Sequence, residues 1–357
     1  MWGDAFEVLP HPTFRENWPV KRAAVRRRRP FKIQKLEQLV RLVRESHEQP
    51  MTGEPRLPEM VEPGEPGVTG ITFLGHSSFL LQVGGKNILV DPVFSTRLIV
   101  FRRQRRPGVL VRDLPPIDLV LITHAHMDHL DKSSLRRVIR ATRRLRGTTP
   151  EVVVPNGVED LVTWMGFEKL HTLSWWDEVE TQGLKITMTP CKHWGARMFR
   201  DMHREYGGYF IAPVAGGTIS GQTVYHSGDT AYFEGFREIG ARLRPDIALL
   251  PIGAYFPDTY RTVHTSPEEA VRGFVECGAK WMIPMHFGTF RLGREPMEEP
   301  VERLNADARR LGIEARVRVL AEGETMILSP EGAVLESRAS ATGPESQSLF
   351  AASYDHG

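Results

Sequence analysis

The 357-residue sequence contains only two cysteines, Cys191 and Cys277. Two cysteines are too few for a disulfide framework, and free thiols are typical of a reducing cytoplasm. No apolar run approaches the length of a membrane-spanning helix, and the first residues lack the apolar core of a signal peptide. We therefore expect a cytoplasmic protein with no transmembrane segment.

An excess of charge of either sign is also lacking. The formal net charge is only +2, and no nucleic-acid-binding domain or aromatic platform for single strands is evident, so a nucleic-acid partner is not expected. No Gly-x-Ser-x-Gly string occurs, which argues against a serine nucleophile. With 41% hydrophobic and 25% charged residues, the composition indicates a globular protein with a large core.

The most informative segment is 119–129, which reads Leu-Val-Leu-Ile-Thr-His-Ala-His-Met-Asp-His. An apolar strand runs here into three histidines and one carboxylate. Because residues two apart in an extended chain point to the same side, His124 and His126 can bind one metal ion. The following turn can bring Asp128 and His129 to a second ion. Imidazole with carboxylate favours zinc or another first-row divalent metal.

Three more candidate ligands follow predicted strands. His193 lies just beyond the strand-like segment 185–190, Asp229 follows the segment 223–227, and His286 comes directly after the segment 281–285. Rigid strands present functional residues from the loops at one edge of a sheet. We therefore expect these residues to meet the first motif at a single rim.

The motifs resemble those of the metallo-β-lactamase superfamily, in the branch that contains N-acyl-phosphatidylethanolamine-hydrolysing phospholipase D and its bacterial relatives. Besides the histidine motif, the resemblance depends on the strings Phe73–Phe79, Asp91–Ser95, Leu114–Asp118, Ser174–Glu178, Thr189–Trp194, Ser227–Thr230, Pro251–Tyr255, His264–Ala270 and Met285–Phe290. It implies an α/β fold, a four-layer αββα sandwich of two facing β-sheets with helices outside.

The resemblance also implies two zinc ions. It assigns one ion to His124, His126 and His193 and the other to Asp128, His129 and His286, with Asp229 bridging both. His264 matches a position near the substrate headgroup, where a proton donor or polar anchor is needed, although it could instead cap the helix that begins after Ser266. Asp91 and His76 match positions beside the metals, where they would support the ligands.

The chemistry that this site implies is hydrolysis. Two adjacent cations lower the pKa of a bridging water, so that hydroxide attacks while the cations stabilise the developing charge. The branch resemblance favours a phospholipase D-type phosphodiesterase acting on an N-acyl-phosphatidylethanolamine-like lipid, with Asp229, His264 and Asp128 as catalytic residues. A lactonase or other cyclic-ester hydrolase remains the alternative, because the stretch 195–208 and other loops depart from the branch pattern.

The chain divides by composition into three parts. We predict an N-terminal extension at 1–66 with a basic amphipathic helix and a linker, a catalytic domain at 67–330, and a disordered tail at 331–357. Ten basic residues and one acid lie between Lys21 and Arg44, and an apolar face is predicted at Ile33, Leu36, Leu39, Val40 and Val43. This helix could contact an anionic membrane or pack on the domain; both alternatives and homo-oligomerisation stay open.

Overall fold

The computed structural model describes residues 31–61, 67–197, 201–216 and 218–335. The α-helices in this part are α1 (Phe31–Glu48), α2 (Lys132–Arg146), α3 (Gly235–Leu243), α4 (Pro267–Cys277) and α5 (Glu299–Arg310). The strands are β1 (Thr69–Gly75), β2 (Ser78–Val83), β3 (Lys86–Val90), β4 (Arg97–Leu98), β5 (Phe101–Arg102), β6 (Leu119–Leu121), β7 (Glu151–Pro155), β8 (Leu170–Leu173), β9 (Glu178–Thr181), β10 (Leu184–Thr189), β11 (Gly208–Ala215), β12 (Thr218–Ile219), β13 (Val224–His226), β14 (Ile247–Pro251), β15 (Trp281–Met285), β16 (Thr325–Leu328) and β17 (Val334–Leu335).

The strands form two large sheets and one small hairpin. The first sheet has the order β17-β16-β1-β2-β3-β6-β7-β8, and the second follows the path β15-β14-β13-β11-β10-β9 with β12 paired to β11. Strands β3, β6, β7 and β8 run parallel, as do β13, β14 and β15. The strands β4 and β5 pair only with each other.

Alternating side chains on β2 show how the layers stack. Phe79 and Leu81 belong to a buried cluster that includes side chains of the second sheet and of α3 and α4. Leu80, which points the opposite way, belongs to a second cluster that includes Leu135 and Val138 of α2. Successive side chains of a strand face opposite sides, so the first sheet lies between α2 and the second sheet. The predicted four-layer αββα sandwich is confirmed.

Local sequence signals set the element boundaries near the site. Asp131 caps α2 by accepting a hydrogen bond from the Ser133 amide, and Gly147 ends the helix in the left-handed conformation. Helix α4 begins with the predicted capping box of Ser266 and Glu269. These caps fix where the chain leaves the ligand-bearing loops, so they help to hold those loops in place.

The N-terminal boundary differs from the predicted division at residue 66. Residues from Arg41 onward belong to the same compact unit as the two sheets. The segment predicted as a linker lies against that unit: the Arg56 amide donates to the Gly108 carbonyl, and the Val61 amide donates to Gln82 Oε1. Its prolines favour an extended backbone, which can follow a sheet edge.

The C-terminal boundary also differs from the prediction, because β17 extends the first sheet past residue 330. Its residues Val334 and Leu335 pair with Leu328 and Ile327. Residues 336–357 of the predicted tail lie outside the described part of the chain. No helix in the described part is long and apolar enough to span a bilayer.

The predicted apolar face of α1 needs one correction. Val40, assigned to that face, is 60% exposed, whereas Leu42 is buried. In the last turns of α1 the buried side chains are those of Leu42 and Ser46. Val40 lies on a different side of the helix and is exposed to solvent. The side chains of Ile33, Leu36 and Leu39, and the basic residues before Phe31, lie outside the described part.

Candidate metal centre

The candidate ligands lie beyond the carboxyl ends of four strands. The loop with His124 to His129 follows β6, His193 follows β10, Asp229 follows β13 and His286 follows β15. Strands β13 and β15 are parallel, and β10 is separated from β13 by the antiparallel β11, so these three strands end at one edge. The structure brings together all seven residues that the sequence predicted as ligands, and each belongs to at least one group of facing donor atoms.

Three histidines form the first set of donor atoms. His124 Nε2 lies 2.8 Å from His126 Nδ1, and His193 Nε2 lies 3.2 Å from the same atom. Nitrogen ligands placed about 2.05 Å from a tetrahedral zinc ion are about 3.3 Å apart. The three nitrogens thus have the spacing of ligands that share one ion, and they form one of the groups able to hold a metal.

Asp128, His129 and His286 form the second set, together with His76. Asp128 Oδ2 lies 3.8 Å from His129 Nε2 and 3.7 Å from His286 Nε2. His76 Nε2 lies 3.1 Å from the same carboxylate oxygen. Asp128 is therefore positioned as a shared anion among three imidazoles, and His76 contacts it directly.

Asp229 lies between the two sets. Its Oδ2 is 3.2 Å from His129 Nε2, 3.1 Å from His286 Nε2 and 3.9 Å from His193 Nε2. Its Oδ1 is buried and has no hydrogen-bond partner among the described residues. One carboxylate thus reaches both sets, as a bridging ligand must.

The unsatisfied atoms at this site fit a divalent metal. Besides Asp229 Oδ1, the buried ring nitrogens His129 Nε2 and His286 Nε2 lack hydrogen-bond partners among the described residues. A buried polar atom without a partner costs free energy, so native proteins rarely retain one without a ligand. Imidazole and carboxylate donors that converge in this way are typical ligands of zinc and related ions.

Asp91 holds two of the histidines in the required orientation. Its Oδ2 accepts a hydrogen bond from His129 Nδ1 at 2.7 Å and another from Thr123 Oγ1 at 2.6 Å. Thr123 Oγ1 in turn lies 2.9 Å from His124 Nδ1. With the outer nitrogens of His129 and His124 occupied, their Nε2 atoms are free to face the centre.

Two further supports of the ligands had no signal in the sequence. His193 Nδ1 donates to the Val263 carbonyl at 2.9 Å. The half-buried Arg197 Nη1 donates to the carbonyls of Ala125 and Leu130, each at 2.8 Å. One guanidinium thus joins both ends of the histidine loop. These contacts link residues far apart in the chain, and no spacing rule identifies them.

The charges of the site are strongly polarised. Burial alone would raise the pKa of Asp229, but His129 and His286 hold it well below the usual value. Burial opposes protonation of His286, yet Asp229 and Asp128 raise the pKa of that imidazole to about 9. The carboxylates are therefore anionic at neutral pH and attract cations.

His264 stands beside the two sets. Its Nδ1 lies 3.9 Å from Asp229 Oδ2 and is buried without a partner among the described residues. Burial lowers the pKa of His264 to about 3, so the ring is neutral near pH 7. The cap of α4 is Ser266, not His264, which leaves the His264 ring available to the centre. Trp194 packs on His193, with ring centroids 4.3 Å apart, and borders the same space.

This fold and these donor sets define a candidate metal centre at the edge of an αββα sandwich. A family model described as a beta-lactamase superfamily domain matches residues 86–287. The chain therefore belongs to the metallo-β-lactamase superfamily.

Two relatives are similar to this chain over about 250 residues. The chain is 34% identical over 252 residues to an uncharacterized protein of Mycobacterium tuberculosis, covering 66% of this chain and 63% of that protein. It is 30% identical over 245 residues to the mitochondrial N-acyl-phosphatidylethanolamine-hydrolyzing phospholipase D of Saccharomyces cerevisiae, covering 65% of this chain and 50% of that enzyme. It thus spans about half to two thirds of these relatives' lengths.

A solved structure agrees with these matches. Igni18, a metallo hydrolase of Ignicoccus hospitalis, superimposes with a TM-score of 0.55 at 26% identity, covering 73% of this chain and 98% of that one. The residues matched by the family model, 86–287, include all seven candidate ligands.

Proposed function

We propose that this protein is a dinuclear zinc phosphodiesterase of phospholipase D type. The observation that carries the proposal is the position of Asp229, whose Oδ2 lies within 3.9 Å of ligand nitrogens from both donor sets. Two divalent ions held by these donor sets would form a centre suited to displacement at phosphorus. When bound, the ions supply an activated water and stabilise negative charge on the phosphoryl oxygens.

The protein's own residues prepare this reaction. Asp91 fixes the ring of His129 through a direct hydrogen bond and that of His124 through Thr123. Asp229 and Asp128 stay ionised because their imidazole neighbours hold their pKa values well below the usual range. The imidazole rings are therefore oriented and the carboxylates ionised before a substrate arrives, which is the arrangement that lowers reorganisation cost.

His264 is proposed to act on the substrate. Its unpartnered Nδ1 lies next to Asp229 at the edge of both donor sets. A neutral imidazole can donate a hydrogen bond through one nitrogen, here to an oxygen of the reacting diester or to the leaving oxygen. This contact would orient the headgroup and stabilise charge as the bond to the leaving group breaks.

A lipid phosphodiester is favoured by the sequence similarity to one branch of the superfamily. The yeast relative, 30% identical, is a phospholipase D that hydrolyses N-acyl-phosphatidylethanolamine. The strings Pro251–Tyr255 and Met285–Phe290 also match this branch. The second string contains His286. The first lies against it, since the Gly253 backbone approaches the His286 carbonyl closely.

The test is a substrate panel with zinc-loaded protein. We expect release of a phosphatidic-acid-type product from N-acyl-phosphatidylethanolamine vesicles in ¹⁸O-water, with one labelled oxygen on phosphorus. Asp229→Asn serves as the inactive control. Release of diacylglycerol would contradict the bond assignment, and turnover of lactones without turnover of any diester would replace the proposal with the lactonase alternative.

A further inference from the structure

The β4–β5 hairpin ends in two exposed aliphatic residues. Ile99 is 73% exposed and Val100 is 45% exposed. Two-residue hairpin turns usually contain glycine, asparagine or aspartate, because the turn requires positive φ. Ile99 adopts a φ of 51°, a conformation that β-branched residues rarely take. Neither folding preference nor burial accounts for isoleucine at this position.

Basic side chains flank this tip. Arg97 and Arg102 are directly opposite each other across the hairpin. Neither has an ion-pair partner within the described residues, although many other arginines there do. Two exposed aliphatic side chains between two arginines without an ion-pair partner in the described part match a phospholipid interface, which takes apolar groups below its layer of phosphates.

The base of the hairpin is anchored by buried and backbone hydrogen bonds. Arg103 is fully buried and donates to the carbonyls of Arg105 and Val93 at 2.7 and 2.9 Å. On one flank, the end of α1 contacts the hairpin: His47 Nε2 lies 3.0 Å from the Val100 carbonyl, and the Arg102 amide donates to Ser46 Oγ. The exposed tip therefore projects from a base that is anchored by hydrogen bonds on both sides.

The same hairpin is connected to the metal centre. Leu98 packs in a small buried cluster with Val93 and Phe290. The ring of Phe290 packs edge-on against His76, with centroids 5.4 Å apart, and His76 contacts Asp128. The hairpin is therefore linked to the second donor set by a short series of direct side-chain contacts.

We propose that the hairpin tip docks on an anionic phospholipid surface, with Ile99 and Val100 in the interface and Arg97 and Arg102 against lipid phosphates. The choice of a lipid partner rests on the proposed function, because a phospholipase must reach its substrate at a membrane. The docking itself is measured without turnover, so the two proposals fail separately.

The test uses Ile99→Gly in the full-length protein. Glycine adopts a φ of 51° without strain, so we expect no fall in melting temperature. Removing the side chain should weaken binding to vesicles of phosphatidylcholine with phosphatidylglycerol roughly ten- to hundredfold, the range for burying one large aliphatic side chain. Hydrolysis of a small soluble diester should not change.

The controls separate this tip from other exposed groups. Trp164→Ala removes a side chain that is 93% exposed on another part of the surface, and it should leave vesicle binding unchanged. Arg97→Gln with Arg102→Gln should weaken binding to anionic vesicles by about fivefold per side chain. The pair Arg136→Gln with Arg137→Gln, on exposed positions of α2, is the matched charge control.

Several results would overturn the proposal. Absence of vesicle binding by the parent protein would do so, as would equal binding by Ile99→Gly. Conversion of a dimer to a monomer by Ile99→Gly, seen by sedimentation, would make the tip an interface between copies of this chain. A different result would separate the two proposals. If vesicle binding depends on the tip but no phospholipid is cleaved, the docking surface is supported and the proposed phospholipase activity is refuted.

Discussion

Replacing Asp91 by asparagine should weaken metal binding although Asp91 is not a proposed ligand. Its Oδ2 accepts from His129 Nδ1 and from Thr123 Oγ1, while its Oδ1 accepts from the Thr123 amide. If the asparagine oxygen keeps the amide contact, its NH2 group faces two donors. The His129 ring then loses its anchor. The Thr123 hydroxyl must rotate, and if it donates to His124 Nδ1, the proton of that ring moves to Nε2, which then has no lone pair for a metal.

The expected loss follows from how outer partners act on metal ligands. Removing such a partner typically lowers metal affinity 10–100-fold, or about 1.4–2.8 kcal/mol. Because Asp91 supports one histidine of each donor set, we expect a loss of this size at both sites. Activity should fall in parallel at limiting zinc and recover in part when zinc is in excess.

The assay is competition with a chromophoric chelator, combined with melting curves of the metal-free and zinc-loaded protein. Asp118→Asn is the matched control, because Asp118 accepts hydrogen bonds from the Asn87 amide and Arg146 without contacting any donor residue. It should lower the melting temperature and leave zinc affinity unchanged. Zinc affinity of Asp91→Asn within twofold of the parent protein would refute this reasoning.

Three further variants test the other roles. Asp229→Ala should abolish turnover with the fold retained, and activity within twofold of the parent would exclude a bridging role. His264→Asn should lower kcat about 100-fold with zinc content unchanged; loss of zinc would instead make His264 a ligand. Arg103→Met should destabilise the protein by about 3 kcal/mol in urea unfolding, because the carbonyls of Val93 and Arg105 lose a buried donor; an unchanged midpoint would show that water replaces it.

The sequence by itself determined the local elements and the identity of the donor groups. The β-hairpin at Gly84 and Gly85 and the caps at Asp131 and Ser266 were predictable, because each depends on a few adjacent residues. The same is true of the motif from His124 to His129, where the spacing of ligand types after an apolar strand carries the information.

Only the tertiary structure decided how distant residues meet. Asp229 lies between two donor sets because β13 and β15 end at the same edge as β10, and Arg197 joins both ends of the histidine loop from a segment about 70 residues away. The packing of residues 52–61 on the sheet and the exposure of Ile99 are equally nonlocal results. Sequence periodicity reports which face of an element is apolar, but it does not report which element covers that face.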